Sequence, residues 1–218
     1  MSALSLRDVR LLQLRADLFK HIEDEIPGFC IKRKDRSWLM AILSKILFFN
    51  KGFMRKYVTT IYPAVYVPKF WGKHRKLQLT EMEILAHEFV HLRDRKKLKW
   101  LFSIGYLTPQ IFSLLAFGAL WNPWYLLSLL FLLPWPSPLR AWAEFRAYRM
   151  SIAFYYWAEN KNCDIDWVTR QFTSSNYYYM FPFENYIKKK LSLEFKKIVK
   201  DDIPNDMLKI KNIIKKRL

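Results

Sequence analysis

Residues 80–99 read TEMEILAHEFVHLRDRKKLK, with His87-Glu88-Phe89-Val90-His91 at their centre. Two histidines four positions apart stand one turn apart on the same face of a helix, so both imidazoles reach one cation. The glutamate beside the first reaches a water bound to that cation, as in H-E-x-x-H zinc sites. The bare pattern is common. Here it gains weight because the chain has only four His, at positions 21, 74, 87 and 91, and two of them fall at ligand spacing.

The surrounding residues predict a helix. Thr80 followed by Glu83 reads as a capping box. Glu81 and Glu83 sit at the positive end of the helix dipole, while Arg93, Arg95, Lys96, Lys97 and Lys99 lie toward the negative end. Met82, Leu85, Ala86, Phe89, Val90 and Leu92 spread around the helix, which predicts burial on several sides.

A catalytic zinc takes three protein ligands and keeps one position open. Glu144 is the candidate third ligand. It is the only acid between Asp94 and Glu159, and Trp142, Phe145 and other apolar residues enclose it in a helical stretch running from Arg140 through Tyr156. A carboxylate in such company needs a cation. The alternative reading pairs it with Arg140 or Arg149. Asp94 is a rival ligand on the face of His87 and His91, but its position suits better the task of holding a ligand histidine by its second nitrogen. Tyr148, one turn after Glu144, reads as an oxyanion donor or as core. His74, in the basic loop 68–76, reads as a solvated loop residue.

Glu144 reaches the histidines only if the intervening chain comes back. From Trp100 to Leu139 there is no Asp, Glu, Lys or Arg. Thr108-Pro109 and Asn122-Pro123 each read as an N-cap with Pro at the first helical position, which predicts helices over 109–121 and 123–133. Thirteen helical residues extend about 20 Å, against a hydrocarbon core of roughly 30 Å. A shallow or re-entrant hairpin fits better than two crossings. Basic residues flank both ends, so both ends belong on one side of a membrane, the cytoplasmic one. The hairpin lies in lipid or is buried in protein, within a larger assembly if need be.

Before this region, residues 4–25 form an amphipathic helix pattern ended by Pro27-Gly28, and residues 38–49 form a second helical run too short to span a bilayer. Residues 57–67, YVTTIYPAVYV, read as strand, with Pro63 giving two short strands or one edge strand. After the Glu144 helix come a polar turn at 160–166, an aromatic cluster at 177–183 and two Lys-rich amphipathic helices separated near Pro204. These helices suit anionic lipid, a groove of another subunit or, least of the three, nucleic acid.

Composition agrees with this order of preference. Hydrophobic residues make up 52% of the chain and aromatics 17%, and the net charge is +18. Basic residues cluster beside apolar runs, which favours an anionic membrane surface over nucleic acid. With 5 glycines there is neither a P-loop nor G-x-G-x-x-G. The charged first twenty residues do not match a secretory signal. Cys30 and Cys163 are far apart in sequence and require no disulfide, so metal ligands must come from His and carboxylate.

HEFVH, the 100–139 hairpin and Glu144 in AEFRAY, in that order, resemble the gluzincin metallopeptidases, nearest to the membrane-associated HtpX-type and CAAX-prenyl proteases. The likeness covers residues 57–157. It departs in the short hairpin and in Tyr148, which stands where those families carry Asp. It is fainter toward small peptidase-like proteins of bacteriophages, some of them virion components. The resemblance implies Zn2+ held by His87, His91 and Glu144, with Glu88 as general base on a peptide or protein substrate.

The expected fold is mainly α with a small β-sheet. A zincin-like core (edge strand, HExxH helix, third-ligand helix) carries the inserted hairpin and basic C-terminal helices. The expected segments are 1–56 with the N-terminal helices, 57–160 with the core, and 161–218 with the aromatic cluster and basic helices. The expected activity is peptide hydrolysis at a membrane surface; the alternative is a structural zinc in a viral or membrane-bound assembly.

Overall fold

The computed structural model describes residues 5–47, 50–72, 78–161, 163–174 and 179–218. The chain is mainly helical, with one small mixed sheet. His74, Phe48, Phe49, Tyr177 and Tyr178, singled out above or within segments that were, lie outside the described residues.

Helix α1 (Leu6–Glu25) opens with a capping box: the Ser5 hydroxyl accepts from the Asp8 amide at 3.1 Å, and Asp8 accepts from the Ser5 amide. Leu11, Leu14, Leu18 and Ile22 form its buried stripe. Strand β1 (Cys30–Arg33) follows, then α2 (Trp38–Ile46), capped by the Ser37 hydroxyl. Pro63 divides the 57–67 run into β2 (Thr59–Ile61) and β3 (Ala64–Val67). The sheet order is β1-β3-β2, with β1 parallel to β3 and β2 antiparallel to it. The central strand β3 is buried at every position, so β2 is one of the two edges.

The H-E-x-x-H helix is α3 (Gln78–Leu98). Thr80 already lies inside it, so the expected capping box does not form. Glu83 turns inward instead and hydrogen-bonds Ser151. Phe89 and Leu92 are fully buried, as the broad apolar surface requires. Helix α5 (Pro138–Glu159) packs against α3 and places Ala143, Ala147 and Ser151, all small and buried, at four-residue spacing. Asn160 ends α5 in the left-handed conformation.

Between α3 and α5 run α4 (Trp100–Leu107) and two 3₁₀ arms, Gln110–Leu120 and Pro123–Leu132, that pack on each other. The arms match the expected hairpin in extent but are wound more tightly than α-helices. Asn122 caps the second arm as expected, accepting from the Trp124 amide at 3.0 Å. Thr108 does not cap the first arm: its hydroxyl donates back to the Ile104 carbonyl and closes α4.

Residues 160–166, read as a turn, contain the start of α6 (Ile165–Thr173), which Asp164 caps through the Trp167 amide. Helices α7 (Glu184–Val199) and α8 (Asn205–Arg217) are the Lys-rich pair. Their apolar stripes are not free for lipid or another subunit. Ile187, Leu191 and Ile198 of α7 and Met207, Ile210 and Ile214 of α8 are buried within the chain's own core, with α8 lying against α1 and α5. That core draws on Leu14 of α1, Phe89 of α3, Phe154 of α5 and Ile210 of α8 alike. The segments 1–56, 57–160 and 161–218 therefore contribute to one shared interior.

Partly buried charges tie the helices behind the site. Arg93 of α3 pairs with Asp206 of α8, Arg146 of α5 with Asp94 of α3 at 3.1 Å, and Arg149 of α5 with Glu194 of α7 at 3.1 Å.

Candidate metal centre

Helix periodicity places His87 and His91 on the face of α3 that meets α5. The hairpin returns to its starting side, and Glu144 arrives between the two rings. His87 Nε2 lies 3.4 Å from Glu144 Oε2, and His91 Nε2 lies 3.5 Å from Oε1. One ligand atom from each residue lies within 4.8 Å of the others. In a tetrahedral site with bonds of about 2.0–2.1 Å, neighbouring ligand atoms stand about 3.3 Å apart. The spacing suits a metal ion.

Neither arginine weighed as a partner takes Glu144. Arg140 donates to the Tyr106 carbonyl at 2.9 Å and to Gln110 Oε1 at 2.8 Å, and Arg149 serves Glu194. Glu144 is 1% exposed, and its Oε2 has no hydrogen-bond partner although it points toward His87. A buried carboxylate oxygen in that state calls for a cation. The three residues could hold one.

The electrostatics of the protein alone agree. Burial pushes the Glu144 carboxyl up, but His91 and His87 outweigh it and hold the group far below the usual carboxylate range. Burial likewise pushes His91 down, and Glu144 reverses this, raising it to about 9. A cation held between them would take the place of that proton.

The outer partners fix the ligands. His87 Nδ1 lies 3.1 Å from Ser151 Oγ. With Nδ1–H donated there, the Nε2 lone pair is left for a metal. Ser151 in turn bonds Glu83, whose carboxyl is raised by burial. The Tyr106 hydroxyl of α4 donates to Glu144 Oε1 at 2.5 Å. Glu88, beside His87, accepts from the Thr60 hydroxyl of the edge strand β2 at 2.6 Å.

No family model, no curated protein and no solved structure matches the chain. The centre is therefore read from its own atoms. Asp94 and Tyr148 are the remaining candidate positions. Asp94 makes no hydrogen bond to His91, whose Nδ1 has no protein partner; it pairs with Arg146, because α5 carries that guanidinium alongside. Tyr148 is buried with its ring edge-on to His87, centroids 4.8 Å apart, and against Phe172 and Trp167.

Sequence reasoning missed Tyr106, Ser151, Glu83 and Thr60. Tyr106 gave no signal, standing in an apolar run, and Ser151 lies two turns beyond Glu144 in a helix read only for its acid. The imidazoles keep a narrow opening, each 7% exposed. Two clefts of about 520 and 440 Å³ lie elsewhere, against Leu6 and Leu79 and between Glu25 and Asp206.

Proposed function

We propose that this protein is a zinc-dependent peptide hydrolase with a zincin-like core. The observation that carries the reading is the convergence of His87, His91 and Glu144 while Glu88, on the same helix, turns to the edge strand β2. The two histidines and the carboxylate would hold the ion, with the Ser151 hydroxyl 3.1 Å from His87 Nδ1, placed to accept from it and leave Nε2 for the metal.

Zinc in such a site supplies Lewis-acid activation of a water and of the scissile carbonyl. The chain's own residues do the rest. Glu88 accepts the proton of the attacking water and hands it to the leaving amine. Thr60 fixes the carboxylate that does so. The free edge of β2 pairs with an extended substrate backbone and presents it to Glu88. Tyr106 and Ser151 keep the ligands in register before substrate arrives.

A purely structural zinc is normally closed by four protein ligands. Among the described residues the cluster offers three, and the imidazoles reach solvent, which favours the catalytic reading over a fold clamp. The test is metal quantification with a peptide-library hydrolysis assay on wild type and Glu88→Gln. The expected outcome is about one zinc per chain in both, with cleavage only in wild type. Bound zinc with no cleavage by either form would assign the centre to structure, and absence of bound metal would overturn the reading.

A further inference from the structure

We propose that the hairpin over residues 109–133 beds in one leaflet of an anionic bilayer. This does not depend on whether the metal centre is catalytic.

The hairpin is apolar outward and polar inward, the reverse of a water-soluble element. Leu120, Trp121, Phe117 and Trp124 are 87, 83, 75 and 74% exposed. The second arm is exposed at every position except Ser128. Several of its polar groups pair within the hairpin, while Gln110 Oε1 accepts from Arg140 and Gln110 Nε2 has no partner among the described residues. Ser128 Oγ donates to the Ser113 carbonyl at 3.4 Å, Ser113 Oγ to the Gln110 carbonyl at 2.8 Å, and Trp135 Nε1 to the Leu130 carbonyl at 2.9 Å. Hydrocarbon demands that pairing; water does not. A protein partner would cover one face and meet a polar rim. An arm that is apolar on all its faces matches lipid, which covers it all round.

Length confines it to one leaflet. At a rise of about 2.0 Å per residue the arms extend roughly 20–22 Å, short of a hydrocarbon core of about 30 Å. Among the described residues no single helix is long and apolar enough to cross; α4 and the first arm reach that length only as a pair, and a bend of 86° breaks it. Trp100 and Trp135 stand at the foot and Trp121 and Trp124 at the tip, all exposed. Indole rings favour the headgroup level, so a hairpin lying along the interface satisfies both pairs. Lys97 and Lys99, exposed beside Trp100, meet anionic headgroups, and the net charge of +18 draws the chain to them.

The experiment is co-flotation of the full chain with vesicles of phosphatidylcholine alone or with phosphatidylserine. The expected result is binding that rises with phosphatidylserine. Leu120→Asp, at an exposed site, should weaken it by roughly tenfold or more with an unchanged circular-dichroism melt. Lys97→Glu with Lys99→Glu should remove the phosphatidylserine dependence. Tryptophan quenching should be strongest with lipids brominated at shallow acyl positions. Labelling of Asn122→Cys from the far side of the vesicle would overturn the one-leaflet placement. Failure to bind vesicles, with Leu120→Asp instead dissolving a protein oligomer, would overturn the lipid assignment.

Discussion

The phenol of Tyr106 donates a 2.5 Å hydrogen bond to Oε1 of Glu144. The donor stands in the apolar run before the hairpin and the acceptor 38 residues later in α5. A metal-binding carboxylate held by such a donor loses orientation when the donor goes. Tyr106→Phe should weaken metal affinity about tenfold with the fold intact, read by competition against a chromogenic chelator. An unchanged affinity would reduce this bond to packing.

Thr60 acts on the other carboxylate. Its hydroxyl lies 2.6 Å from Glu88 Oε2. Thr60→Val keeps shape and removes the donor, so kcat for peptide cleavage should fall about tenfold while bound metal stays the same. A parallel loss of metal would show that Thr60 supports the helix and not the base.

Asp94 distinguishes two readings of one acid. Because it pairs with Arg146 and not with His91, Asp94→Asn should cost about 2 kcal/mol of stability and leave metal affinity unchanged. The pair is half-open on the arginine side, which keeps the cost below that of a fully buried one. Urea melts and metal titration on the same sample give the two numbers. A tenfold drop in affinity would return Asp94 to the ligand's support.

The metal-free protein should carry a characteristic pH profile. His91 has its folded value raised from 6.5 to about 9, so its contribution to stability is full below 6.5 and disappears as pH rises through about 9. Glu144 has its folded value lowered, so its contribution is present above 4.5 and is lost as pH falls below that. After chelation the melting temperature should peak between about pH 4.5 and 6.5 and decline toward pH 9. Zinc-loaded protein should not decline over that alkaline range, since the metal takes the place of the proton.

The elements that place the centre were readable because each rests on local periodicity or on a lone acid in apolar sequence. The α3 face, the amphipathic α1 and the stretch leading to α5 follow from spacing, and the return of the hairpin follows from the basic residues at both of its ends. The carboxylate of Glu144 was legible for want of any other acid nearby. β1 was not, because Lys32 and Arg33 suggest a solvated patch, and only its pairing with β3 makes it a strand. Thr80 and Glu83 matched a cap by spacing, but the helix starts earlier and Glu83 prefers Ser151 of α5. The lysines of α7 and α8 drew attention to an outer surface, whereas their isoleucines close the chain's own interior. In each case the missing information was a contact between distant segments.

Arg140 grips the foot of the hairpin twice, through the Tyr106 carbonyl and the Gln110 side chain, and its own helix carries Glu144 one turn further on. Tyr106 touches the same carboxylate directly. The foot of the hairpin and the Glu144 carboxylate are thus held together by hydrogen bonds from both sides, so the seating of one constrains the orientation of the other.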